Sequence, residues 1–207
     1  MWDASTNRSE EPDGRERAAG AFDRARTRWG MERVLLLHGP SGEDGDLARV
    51  LQRHLRHLPV VMLHDRLLPD GALIEHLAVG PGGVTVIAGL REAPLPLRLR
   101  RVLGVFGAHA ELLQDGAGAD RTGLLTPVRE RVVAVRHVVD GAAPVEAALC
   151  LDESDATVTM HPLEVRGVLI AGPKAVAALA ARPGDVADTQ LAELVDLLHA
   201  ELPPALG

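Results

Sequence analysis

The stretch from Val61 to Glu92 constrains the fold more than any other. It reads V-M-L-H-D-R-L-L-P-D-G-A-L-I-E-H-L-A-V-G-P-G-G-V-T-V-I-A-G-L-R-E. Two turn signals, P-D-G at Pro69–Gly71 and G-P-G-G at Gly80–Gly83, divide it into three short apolar segments. Proline presets one turn dihedral and glycine accepts the positive φ that other residues resist, so such clusters mark tight turns. The segments therefore read as three strands joined by two turns. Val84–Ala88 is apolar at every position but Thr85, as in a central strand covered on both faces. Glu75 and His76 interrupt the second strand. An unpaired carboxylate is costly to bury. His76 points to the opposite face, because successive strand residues alternate. An arginine or a backbone amide is the expected partner of Glu75.

The flanks supply helices and more strands. Leu47, Val50, Leu51, Leu55 and Leu58 fall on one face of a helix over 46–58, with Asp44 or Asp46 as its cap. The preceding H-G-P-S-G-E-D-G-D lacks the Gly-Lys-Ser/Thr ending of a phosphate-binding loop, so it reads as a loop feeding that helix. His54 and His57 lie among arginines and read as a solvated face rather than a metal pair. Residues 91–101 hold two prolines and four arginines and read as a polar edge. Within it, Arg98, Arg100 and Arg101 are the candidate contacts to nucleic-acid phosphates. Two short strands are expected within 102–113. Thr126-Pro127 opens a helix carrying Val128, Val132, Val135 and Val139. Residues 145–151 read as a buried strand, 152–155 as an acidic turn and 165–171 as another strand. Pro173 opens a short helix that stops near Arg182, and residues 188–202 form the last. The expected class is α/β, a mixed central sheet flanked by helices. Residues 1–30 are expected to be a disordered polar tail, and 31–207 a single domain.

Composition narrows the chemistry. Hydrophobic residues make up 46% of the chain, enough for a sizeable core, yet the aromatics are only Trp2, Phe22, Trp29 and Phe106. Single-stranded nucleic acid is bound largely by aromatic stacking, which this chain can barely offer. The net charge of −7 also argues against strong non-specific DNA binding. Lys174 is the only lysine, so no mechanism can use a lysine elsewhere. Cys150 is the only cysteine; it forms no internal disulfide and reads as a buried small hydrophobe. None of Ser5, Ser9, Ser41 and Ser154 sits in a nucleophile elbow. No apolar run reaches the roughly 18 residues of a membrane span, and residues 1–10 have no signal-peptide core, so the expected location is the cytoplasm.

The ordered set G-E-D-G-D, L-H-D-R-L-L-P-D-G, I-E-H-L-A-V-G-P-G-G-V-T-V-I, D-R-T, A-L-C-L and V-R-G-V-L-I-A-G-P-K resembles the nuclease-related domain (NERD) family, over roughly residues 42–200. The resemblance implies a restriction-endonuclease-like core and phosphodiester hydrolysis with Mg or Mn held by carboxylates, a lysine placing the nucleophile. By position, the family's helix acid falls on Asp46 and its metal-binding aspartate on Glu75, beside a retained His76. The acid-x-Lys pair falls on Ala88 and Leu90, and a helix glutamine on Arg131. Ala88 cannot ligate a metal and Leu90 cannot position water. Glu92 shares their strand parity and is the candidate substitute, without a lysine partner. The resemblance thus implies a domain that has lost nuclease activity and works as a binding or interaction module, on a protein or weakly on nucleic acid. The alternatives are a re-routed nuclease using Asp46, Glu75 and Glu92, and a scaffold that touches no nucleic acid.

Overall fold

A computed structural model describes residues 44–90, 97–103, 109–151 and 162–205. The polar segment 1–30, most of the glycine-rich loop, Glu92 and the acidic run 152–155 lie outside these residues. In chain order the elements are α1 (Asp44–Leu55), β1 (Val61–Leu67), β2 (Leu73–Gly80), β3 (Gly83–Leu90), β4 (Arg98–Leu103) and β5 (His109–Gln114). A 3-10 turn (Thr122–Leu125) leads into α2 (Thr126–Val139), β6 (Val145–Leu151), β7 (Leu163–Val165), β8 (Val168–Ala171), α3 (Pro173–Ala180) and α4 (Asp188–Glu201).

Six strands form one sheet in the order β1-β2-β3-β6-β8-β7, while β4 and β5 pair as a separate ribbon. β1, β2 and β3 run antiparallel, β3, β6 and β8 run parallel, and β7 closes the sheet antiparallel to β8. The architecture is the mixed α/β class that the sequence leads one to expect. α2 and α4 bury Val128, Val132, Val135, Leu191, Leu194 and Leu198 on one face. α1 and α3 bury Leu51, Leu55, Val176 and Ala177 on the other. β3 and β6 are covered on both faces, which is why V-T-V-I-A and A-A-L-C-L are nearly continuous apolar runs. Cys150 is fully buried among them.

The turn between β2 and β3 needs its glycines for close approach. Gly83 has φ 115°, and a Cβ there would collide with the carbonyl oxygen of Pro144. A Cβ on Gly80 would collide with the carbonyl oxygen of Ala180. The turn is thereby tucked against the start of β6 and the end of α3.

Several boundaries differ from expectation for physical reasons. α1 ends at Leu55, and Leu58 is 40% exposed instead of lying on the buried stripe. Pro59 disfavours helical dihedrals in the residue before it. α1 also begins at Asp44, so Asp46 lies in its first turn and not ahead of it. An acid there favours the positive end of the helix dipole. The single strand expected over 165–171 is a hairpin, broken at Arg166 and Gly167 with φ of 52° and 75°. Two positive φ values in a two-residue connection match a type I′ turn, which normally carries Asn-Gly. The arginines at 98–101 belong to the β4–β5 ribbon and not to an edge of the main sheet.

The outer side of β1 is covered at its C-terminal end by residues 203–205. The Leu67 N–H donates to the Pro203 carbonyl at 2.9 Å, and the Ala205 N–H donates to the Asp65 carbonyl at 2.7 Å. Asp65 has φ 49°, a conformation that aspartate tolerates better than most residues. Its place here is structural. Beneath this segment the Arg66 guanidinium donates to His199 Nδ1 at 3.2 Å and to the Leu202 carbonyl at 3.5 Å.

Candidate functional site

The candidate site stands where β2 and β3 part. Their ladder ends at the pair His76–Ile87, yet β3 continues to Leu90 alongside β6. Beyond the parting, the β3 backbone must find another acceptor, since a buried unpaired N–H is costly. Glu75 supplies it: Oε2 accepts the Gly89 N–H at 2.7 Å. The other oxygen, Oε1, lies 3.8 Å from Arg131 Nη1 on α2. Both side chains are mostly enclosed, at 23% and 21% exposure. Glu75 thus has both kinds of partner expected for it. Residue 89 must stay small, because a Cβ there would stand 3.0 Å from Leu47 Cδ2. The first turn of α1 therefore lies directly against the end of β3.

This arrangement brings Glu75, the Ala88–Leu90 segment and the start of α1 to one end of the sheet. Asp46 belongs to that first turn. Ala88 is 6% exposed and packs in the core on the α2 side, with Leu90 against the same cluster. Arg131, reached by position alone, is the residue that meets Glu75. Lys174 is exposed at the start of α3, which follows the C-terminal end of β8, two strands across from Gly89. Of the ribbon arginines, Arg101 pairs with Glu111 at 3.6 Å, and Arg98 and Arg100 are exposed. His54 is half-buried on α1, and His57 is exposed beyond its end.

These residues do not suit a divalent metal. One Glu75 oxygen holds a backbone amide and the other faces a fixed cation. Ala88 and Leu90 offer no oxygen or nitrogen from their side chains. No group of three His, Cys, Asp or Glu suited to a metal occurs among the described residues. Asp115, a second enclosed acid, accepts the N–H groups of Ala117 and Ala119 and pairs with Arg121 at 2.9 Å, which organises its own loop.

Comparison with protein-family models, with curated proteins and with solved structures finds no match. Among the described residues, no helix is long and apolar enough to cross a membrane.

Sequence reasoning missed a histidine pair behind the site. His64 and His76 are cross-strand partners, with Nδ1 atoms 2.9 Å apart and rings nearly perpendicular at 83°. A hydrogen bond between two Nδ1 atoms needs one donor and one acceptor, so the contact suits neutral rings. His76 is 2% exposed. Burial first, and then the facing His64, lower its pKa from 6.5 to about 3, against a smaller opposing effect of the Glu75 backbone. The signal available in sequence was L-H-D and E-H-L on strands joined by a tight turn, whose register puts two histidines side by side.

One cavity is not lined by Glu75. It encloses about 670 Å³ at the N-terminal ends of β6 and β8, beside Arg136, Glu146, Glu164 and Arg182. Arg182 and Glu146 pair across it at 2.7 Å.

Proposed function

We propose that this chain is a nuclease-related domain that has lost metal-dependent phosphodiester chemistry and works as a binding or interaction module. The observation that carries this reading is the occupation of Glu75. Its carboxylate is engaged by the Gly89 N–H and the Arg131 guanidinium, where a nuclease of this type would engage a metal. The guanidinium balances the carboxylate charge without a divalent ion. The apolar Ala88 and Leu90 remove a metal oxygen and the lysine together. The loss of one pre-organised charged group commonly removes about 3 kcal/mol of transition-state stabilisation. Losing both leaves little on which cleavage can rest.

The test is a cleavage assay on DNA and RNA with magnesium and with manganese, comparing wild type with Glu75→Gln. No product above the protein-free blank is expected from either protein. Metal-dependent cleavage by the wild type that disappears in Glu75→Gln would overturn the proposal and favour the re-routed nuclease.

A further inference from the structure

A second groove lies between α2 and the β7–β8 turn, toward the N-terminal ends of β6 and β8. It encloses about 350 Å³, and its lining includes Arg129, Val132, Val133, Arg136 and Arg166. It opens into the larger cavity, with which it shares Arg136, Ala147 and Gly167. We propose that this groove is a docking site for an extended acidic peptide segment, with an aliphatic side chain between its acids.

Charge is the first argument. Three arginines line the groove, and Glu130 is its one acid. The chain as a whole carries −7, so this is a local reversal of sign. Arg129 makes no ion pair among the described residues. The Arg136 Nη2 donates to the Val145 carbonyl at 3.0 Å, which holds that guanidinium at the groove wall.

Backbone strain is the second argument. Arg166 occupies the first position of the type I′ turn at φ 52°, where asparagine or glycine fits better. A strained side chain is retained where the surrounding structure fixes it, and such residues cluster at functional sites. Arg166 is fixed by Glu111: its N–H donates to Oε2 and its Nε to the carbonyl oxygen, both at 3.2 Å. Those contacts hold the side chain, whose guanidinium also lies within electrostatic reach of the Asp120 carboxylate.

The third argument selects the partner. Arg129, Val133 and Arg136 form one stripe of α2, and Val133 is 53% exposed, the most exposed of the large hydrophobics described. The two arginines stand about 10 Å apart along the helix axis. In extended chain every second side chain shares a face, so residues four apart stand about 13 Å apart with the middle residue between them on that face. A segment of the form acid-x-aliphatic-x-acid can turn both acids toward the two guanidinium groups, whose long side chains take up the few ångströms of difference, and set the aliphatic side chain near Val133. A phosphodiester backbone brings no aliphatic group for this stripe, and the groove holds no aromatic ring on which a base could stack. Neither Glu75 nor Arg131 lines the groove, so the proposal does not depend on whether that site has lost its chemistry.

The experiment is fluorescence anisotropy with the full chain at low salt. The probes are labelled octapeptides with acids four apart around a central valine or leucine, their lysine-substituted counterparts, and a labelled DNA duplex. The acidic peptides are expected to bind with Kd of roughly 10–100 µM, the lysine peptides not to bind, and half-molar salt to weaken binding by screening. Arg129→Gln is expected to weaken binding about fivefold and Arg129→Gln with Val133→Ser more than about tenfold, as charge-assisted hydrogen bonds and apolar contact are lost. Both side chains are exposed, so unchanged melting temperatures confirm intact variants. Failure of the acidic peptides to bind at millimolar concentration, indifference to the double substitution, or displacement of bound peptide by the DNA duplex would each overturn the proposal.

Discussion

Between pH 7.5 and pH 5 the fold is expected to lose about 2 kcal/mol of stability through His76 alone. The sign follows from linkage. In the unfolded chain this imidazole takes a proton near pH 6.5, whereas in the fold it does so near 3. The unfolded state therefore binds more protons throughout that window, and acid favours it. The contribution is intact above about pH 6.5 and falls by about 1.4 kcal/mol per unit of pH below it, levelling off near the folded pKa. His199 acts in the same direction: partial burial, then the Arg66 guanidinium, lower its pKa, with Asp196 opposing. Urea unfolding at half-unit pH intervals measures the slope. His76→Gln keeps a polar group opposite His64 but does not titrate, so its stability is expected to be flatter with pH. A variant slope equal to that of wild type would refute the assignment.

The second large effect is expected at Arg131. Replacing it by alanine leaves Glu75 mostly enclosed, with only the Gly89 N–H as partner. An under-satisfied buried charge of this kind costs about 1–3 kcal/mol. Glu75→Gln keeps an oxygen for Gly89 but removes the charge facing Arg131, at a cost of about 1 kcal/mol. The double variant is expected to lose less than the sum, with a coupling of about 1 kcal/mol, because the second substitution removes a partner already lost. Strict additivity would mean that the 3.8 Å approach contributes nothing. The same variant probes the metal question from the other side. Arg131→Ala frees a Glu75 oxygen, yet manganese titration followed by electron paramagnetic resonance is expected to detect no tight site, since Ala88 and Leu90 add no ligand.

Much of this arrangement could be read from the residues, and the remainder failed for definable reasons. The strands around P-D-G and G-P-G-G were legible because proline and glycine punctuate them and the apolar runs between are short. β6 agrees with its expected bounds of 145–151, since a strand buried on both faces is apolar throughout. The hairpin at Arg166-Gly167 was not legible: an arginine in a left-handed turn position breaks the usual code. The need of Glu75 for an arginine or an amide was a local energetic argument. Its choice of Gly89 depends on where two strands part, and the place of Arg131 depends on how α2 crosses the sheet. Neither has a signature in adjacent residues. The groove was equally hidden, because Arg129, Arg136 and Arg166 come from elements separated by two strands' worth of chain.

The segment 203–205 has a further meaning for the molecule's solution behaviour. By engaging the Asp65 carbonyl and the Leu67 N–H, it acts as a guard at one end of β1 against intermolecular strand pairing, to which bare sheet edges are prone. Pro203 and Pro204 suit this duty, since a residue without an N–H cannot offer the ladder a donor for the next chain. A chain cut after Leu202 would bare that end of the edge while keeping the buried Leu202 and its contact with Arg66, and its first failure would be self-association rather than local fraying.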